Sequence, residues 1–305
     1  MESDDHTTPR ELDAASIVKK ARHLRFRVSP EAVSALSGAY LGVRPGIGLT
    51  FAELRAYEPG DDVRHLDWNV TARQGRPYLR RFIEERSLTL FLVVDVSASM
   101  RFGPVGQSKA DRAAQAAALL AAAAIQNGDR AGLLLVSDRV ELEIPPGEGP
   151  RHLSRIVRGL VATPSLSRKT DLAAAMNPLK HARRRALIVL LSDFLAPGPA
   201  MSWRVLSRRS DLMALRFVEP REERLPAVGL VSVHDPETMS SRVVDFSSRH
   251  VQESYEQNIG IRRASFRSWC LDAGMTGHEA FTPDDPITAL LRVFRGRAKI
   301  RRHPR

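Results

Sequence analysis

The chain has 305 residues, 43% of them hydrophobic and 27% charged, which excludes wholesale disorder and leaves room for one large domain or two modest ones. Its 46 Lys+Arg against 35 Asp+Glu give a formal charge of +11, a balance that permits an anionic partner but specifies none. The single cysteine, Cys270, excludes an internal disulfide and a cysteine-based zinc site and fits a reducing compartment.

The opening segment, residues 1–13, is acidic and polar, with neither the basic start nor the apolar core of an export signal. The longest apolar stretch, Ala113 to Ile125, is interrupted by Gln115 and is too short to span a bilayer. A soluble, cytoplasmic protein is expected. Residues 12–28 have helical spacing with a basic face, and Ser29-Pro30 reads as a helix start, with serine as cap and proline in the first turn. The glycines at 38, 42, 46 and 48, with Pro45, predict a loop over 38–48. Short β-like pieces then surround turn signals at Glu58-Pro59-Gly60-Asp61 and Gln74-Gly75-Arg76-Pro77. Within them Arg55, Asp62, Arg64 and Asp67 are expected to pair across adjacent strands, with Trp68 as a buried anchor.

From residue 88 the chain alternates between apolar runs and helical patterns. Leu88–Val94, Ala131–Val136, Ala186–Leu191 and Leu212–Val218 are apolar on both faces, and Arg139–Ile144 alternates like an edge strand. Helical patterns fall at 109–126, 150–161, 171–183, 200–209, 249–273 and 285–297, with a short strand at His278–Phe281. Two alternating pieces within 229–246, around Asp235-Pro236-Glu237-Thr238, predict an inserted β-hairpin. Strands apolar on both faces and separated by helices require a parallel sheet covered on both sides. The expected fold is therefore α/β, a doubly wound, mainly parallel sheet over 88–298. It follows tail and helices at 1–40 and a β-containing extension at 41–87, and ends in a basic tail at 299–305.

Ligands of such sheets bind beyond the carboxyl ends of the strands. After the first strand stands Asp95-Val96-Ser97-Ala98-Ser99-Met100, and after the 186–191 strand stands Ser192-Asp193-Phe194. Lys169-Thr170-Asp171-Leu172 sits at the mouth of a helix between them. Right-handed crossovers bring every parallel strand end to one edge, so Asp95, Ser97, Ser99, Thr170 and Asp193 can converge there. Two carboxylates and three hydroxyls form an all-oxygen donor set, suited to Mg²⁺ or Mn²⁺ and poorly suited to zinc or copper. With mostly neutral ligands, a cation so held stays electron-poor and attracts an outside carboxylate. Asp171 is expected to cap the helix that follows it.

These residues resemble the metal-ion-dependent adhesion site of von Willebrand factor A domains. That resemblance implies that Ser97, Ser99 and Thr170 ligate the metal directly, that Asp95 and Asp193 act through water, and that an acidic side chain of a partner completes the octahedron. The segment from Phe51-Ala52-Glu53-Leu54-Arg55 through Pro59-Gly60-Asp61-Asp62-Val63-Arg64 to Leu66-Asp67-Trp68 is similar to the signature of the domain-of-unknown-function 58 family. Its continuation through Thr71-Ala72-Arg73 and Arg80-Arg81-Phe82-Ile83-Glu84-Glu85, and the Asp235–Thr238 hairpin, match as well. This resemblance implies a partner or adaptor role beside a MoxR-type AAA+ ATPase in the maturation of other proteins.

Other chemistries are poorly supported. None of the nine histidines pair at zinc-ligand spacing, and there is no phosphate-binding Gly-rich loop and no Gly-x-Ser-x-Gly elbow. A haloacid dehalogenase-like phosphatase using Asp95 as nucleophile would need a second carboxylate two residues on, where Ser97 stands. The arginine-rich stretch Arg292–Arg305 raises a nucleic-acid alternative, but only Phe294 supplies an aromatic ring there. The expected protein is a non-enzymatic, metal-dependent interaction module.

Overall fold

Six strands form the central sheet, in the order β10-β7-β6-β3-β4-β5, and all but the edge strand β5 run parallel. They are β3 (Thr89–Asp95), β4 (Arg130–Val136), β5 (Val140–Gly147), β6 (Leu187–Ser192), β7 (Asp211–Val218) and β10 (Thr276–Phe281). The computed structural model describes residues 30–41, 49–58, 61–62, 66–84, 88–162, 169–180, 182, 186–234 and 240–302. The expected helix at 12–28, Pro59-Gly60, Arg64 and the turn at Asp235–Thr238 lie outside the described residues.

The parallel arrangement follows from burial. Every residue of β3 and β6 is buried, so both faces of these strands must be covered. One face packs against α1 (Pro30–Leu41), α3 (Lys109–Gln126), α4 (Gly149–Ala162) and α8 (Pro286–Arg302), around Leu90, Leu92, Val94, Leu120, Leu133 and Phe294. The other packs against α5 (Met176–Leu179), α6 (Ala200–Ser207) and α7 (Arg249–Ala273), around Phe91, Val93, Leu190, Trp203, Phe266 and Cys270. α3 lies close to the sheet because Ala113, Ala116, Ala117, Ala121 and Ala124 on its inner side are small and buried. A capping box starts it: Ser108 accepts from the backbone of Asp111, whose carboxylate accepts from the Ser108 N–H at 3.0 Å.

Outside the sheet, β1 (Leu49–Ala56) pairs antiparallel with β2 (Tyr78–Glu84), with a bulge between Phe51 and Glu53. A short helix, α2 (Trp68–Gln74), lies between them. The inserted hairpin is present as β8 (Leu230–His234) against β9 (Ser241–Asp245). The mixed α/β class and the mainly parallel sheet are thus as the alternation of apolar runs requires.

Three local expectations differ from the structure. Residues 38–41 continue α1 rather than opening a loop; Leu36 and Tyr40 are fully buried, and Tyr40 meets the Phe294 ring edge-on at 6.1 Å. Trp68 is not a buried anchor, being 69% exposed at the first turn of α2. Asp67 caps that helix, accepting from Asn69 and Val70, while Arg55 pairs with Asp61 at 2.5 Å. The pattern at 171–183 is broken: a 3-10 turn at Leu172–Ala175 leads into the single turn of α5, and Asp171 caps it as expected by accepting from the Ala173 N–H at 2.9 Å.

Candidate metal site at the sheet edge

The chain leaves β3 for β4 on one side and returns to β6 on the other, so a topological switch point lies at the carboxyl ends of β3 and β6. Asp95 ends β3, and Asp193 follows β6 directly. Both are buried, as are Ser97 and Ser99.

Each carboxylate is held by specific donors. Asp95 Oδ1 accepts the Ser97 N–H at 2.9 Å, and Oδ2 accepts the Ser192 hydroxyl at 2.6 Å. Ser192 Oγ also accepts the Phe194 N–H at 3.0 Å, so one hydroxyl braces the turn after β6 and ties it to the end of β3 through Asp95. Asp193 Oδ1 accepts the Leu195 N–H at 3.2 Å. Its Oδ2 lies 2.8 Å from the Lys109 ammonium, whose Nζ is also 2.8 Å from Glu222 Oε1. Phe194 takes a left-handed conformation, φ 53°, unique among the described non-glycine residues. Its ring is anchored against Phe266 at 4.9 Å and Trp269 at 5.5 Å. A strained turn so anchored sets the direction in which Asp193 leaves the sheet.

Ser97 stands at the N-cap of the 3-10 turn Ala98–Arg101, yet its side chain makes no capping bond. Its hydroxyl instead lies 3.2 Å from that of Ser99. Thr170 is half-buried at the same edge, because the next residue, Asp171, donates its N–H to the Ser137 carbonyl just beyond β4 at 2.8 Å. Among the described residues no hydrogen bond joins Thr170 to the other four. The structure therefore links Asp95, Ser97 and Ser99 through hydrogen bonds and holds Asp193 near enough to act on Asp95 electrostatically, with Thr170 in the segment anchored beyond β4.

The electrostatics follow from burial. Desolvation, and then the nearby Asp193 charge, push the Asp95 carboxyl up to about 6 despite its hydrogen bonds from Ser192 and Ser97. Glu222 is raised by burial against the pull of Lys109. Burial disfavours the Lys109 ammonium, but Asp193 and Glu222 outweigh it and hold the group above its ordinary value. Glu219, at the end of β7, is buried too and accepts a hydrogen bond from the Thr282 hydroxyl.

A divalent ion of the magnesium type fits this donor set. Two hydroxyl oxygens 3.2 Å apart match the roughly 3 Å edge of an octahedron with metal–oxygen bonds of about 2.1 Å. Because both aspartates already accept two hydrogen bonds or ion pairs each, contact through water suits them better than direct ligation. Among the described residues there is no group of three or more His, Cys, Asp or Glu placed to hold a metal, so any ion bound at this edge would depend on the serine hydroxyls.

Sequence reasoning missed Ser192, Lys109 and Glu222. Ser192 ends an otherwise apolar buried strand and touches the motif residue beside it. Lys109 carried a signal: a lysine at the first position of a helix opposes the helix dipole and calls for a carboxylate nearby. Glu222 lies 113 residues from Lys109 and had no local signal.

Among the described residues no helix is long and apolar enough to cross a membrane. The uncharacterized protein Rv1480 of Mycobacterium tuberculosis is 35% identical over 235 residues, covering 75% of this chain and 73% of that protein. Among solved structures, the conserved hypothetical protein BatB from Bacteroides thetaiotaomicron superposes with a TM-score of 0.45 at 13% identity, covering 71% of this chain and 100% of that one. The SpRpn10 VWA domain gives 0.29 at 11% identity, over 43% and 75% of the two chains. The family model described as "Protein of unknown function DUF58" matches residues 53–265, and with the mycobacterial relative it establishes that this chain is a member of that family.

Proposed function

We propose that the protein is a non-enzymatic interaction module that binds a partner through a divalent cation, Mg²⁺ or Mn²⁺, held at the carboxyl ends of β3 and β6. The observation carrying this reading is the meeting of Asp95, Ser97, Ser99 and Asp193 at the switch point, with the two serine hydroxyls 3.2 Å apart. Ser97 and Ser99 would ligate the ion, Asp95 and Asp193 would act through water, and Thr170 would approach from the 169–171 loop. A bound ion would supply an electrophilic position for an incoming carboxylate oxygen. Burial keeps Asp95 and Asp193 out of bulk water, so their charge acts on the site at low dielectric. Phe102, Val105 and Leu195 are exposed beside it and provide apolar contact for a protein surface.

The partner would present a Glu or Asp; a MoxR-type AAA+ ATPase or its client is the proposed one, in maturation or assembly of other proteins. Calorimetric titration of MgCl₂ into the native protein, Asp95→Ala and Ser97→Ala tests the metal. Binding by the native protein, lost in both variants, supports the reading; equal heats in all three, or none in any, reject it. For the partner, purified MoxR-type ATPase retained by the immobilised native protein should be released by EDTA. Retention that ignores both chelation and Ser97→Ala rejects docking through the ion.

A further inference from the structure

Lys109 is 0% exposed, and its ammonium lies between two carboxylates, 2.8 Å from Asp193 Oδ2 and 2.8 Å from Glu222 Oε1. It is the first residue of α3, where the helix dipole opposes a positive charge. Desolvating an ammonium at that position is unfavourable unless fixed anions compensate it. Glu222 belongs to the short 3-10 turn Pro220–Glu222 after β7, and Tyr255 of α7 fixes that turn by donating its hydroxyl to the Glu222 carbonyl at 2.6 Å. The contact thus joins three elements, and one of its carboxylates belongs to the candidate metal site.

We propose that Lys109 is a resident counter-cation of this site: its ammonium ties Asp193 to Glu222, positions Asp193 when no divalent ion is present, and weakens the site's hold on such an ion. The inference rests on the reading of Asp95, Ser97, Ser99 and Asp193 as a divalent-cation site. Its physical basis is charge balance. Asp95, Asp193 and Glu222 can carry three negative charges, and Lys109 supplies one positive charge directly against Asp193. A divalent ion arriving within a few ångströms of Asp193 is repelled by that ammonium at low dielectric. Removing the ammonium leaves an uncompensated anionic pair for the ion to neutralise. Removing Glu222 instead leaves the ammonium to act on Asp193 alone.

Opposite signs in two variants separate this role from a purely structural one. MgCl₂ is titrated calorimetrically into the native protein, Lys109→Met and Glu222→Gln, with circular dichroism verifying the fold of each. Lys109→Met should bind roughly tenfold or more tighter than native, and Glu222→Gln roughly tenfold weaker. A salt bridge that served folding alone would lower the thermal midpoint of both variants and leave Mg²⁺ affinity unmoved. Native binding with equal or weaker affinity in Lys109→Met overturns this inference and leaves the proposed function standing. A silent native protein beside a binding Lys109→Met upholds the inference and overturns the proposed function, because the lysine then replaces the ion. Silence in all three overturns both. Should Lys109→Met fail to fold, Lys109→Gln, whose amide can still donate to Asp193, takes its place: tighter Mg²⁺ binding than native upholds the inference, and equal or weaker binding overturns it.

Discussion

Asp95 concentrates the chemistry of the strand edge in one carboxyl group. Its raised value of about 6, caused first by burial and then by Asp193, means that ionising it in the folded protein is unfavourable relative to the unfolded chain. The contribution of the protonated group is fully present below the ordinary value of 3.8 and is lost as pH rises through about 6. In EDTA, urea unfolding of the native protein and of Asp95→Asn should therefore show the native protein gaining about 2 kcal/mol on the variant as pH falls from about 8 to about 4. A constant difference across that range would contradict the burial account. Cys270 makes a second test at this scale. It is buried, and desolvation pushes its thiol up to about 12, so almost no thiolate exists near neutral pH. A disulfide reagent should label it only as fast as the protein opens, with urea accelerating the reaction; immediate stoichiometric labelling of the folded protein would refute this. Asp95, Ser97, Ser99 and Asp193 were legible in the sequence because each follows a strand whose apolar run marks its end. Ser192 and Glu222 were not, because their roles arise from contacts across 97 and 113 residues, and the Lys109 signal calls for a carboxylate without saying that it stands 84 residues away.

Among the elements, the strands were the easiest to read. Burial on both faces leaves a continuous apolar run that polar surface structure cannot imitate, and β3, β4, β6 and β7 fall within a residue or so of the runs that marked them. Elements whose stability comes from end contacts or distant packing were harder. α2 has only seven residues and none classed as buried; its start is set by Asp67 and its end by Gly75 in a left-handed conformation, φ 67°. The 38–41 turn of α1 is helical because Tyr40 packs on Phe294, from a helix some 250 residues away. The approach of α7 to β10 rests on a missing side chain: a methyl group at Gly277 would lie 2.7 Å from Cys270 Sγ and 3.1 Å from the Phe266 ring. Gly277→Ala should lower unfolding free energy by about 1–3 kcal/mol; an unchanged urea midpoint would show that α7 is free to shift.

Across the whole molecule, strand order decides where chemistry can occur. Placing β3 between β4 and β6 opens the crevice at its carboxyl end and brings together residues roughly a hundred positions apart. The fold class followed from alternation, whereas the order of strands did not, since β4, β6 and β7 have similar apolar text and pairing is settled by packing of the connecting helices. Under the proposed reading, the formal charge of +11 would favour an acidic partner surface at long range, and the buried edge would supply the short-range specificity. The central claim is that the Ser97 and Ser99 hydroxyls ligate a small hard cation, and it is tested most directly by anomalous diffraction at the manganese edge from crystals soaked in Mn²⁺. The account predicts a peak about 2 Å from both hydroxyl oxygens, with Asp95 and Asp193 reaching it through water; no peak beside those serines, in crystals whose other sites have taken up manganese, would contradict it.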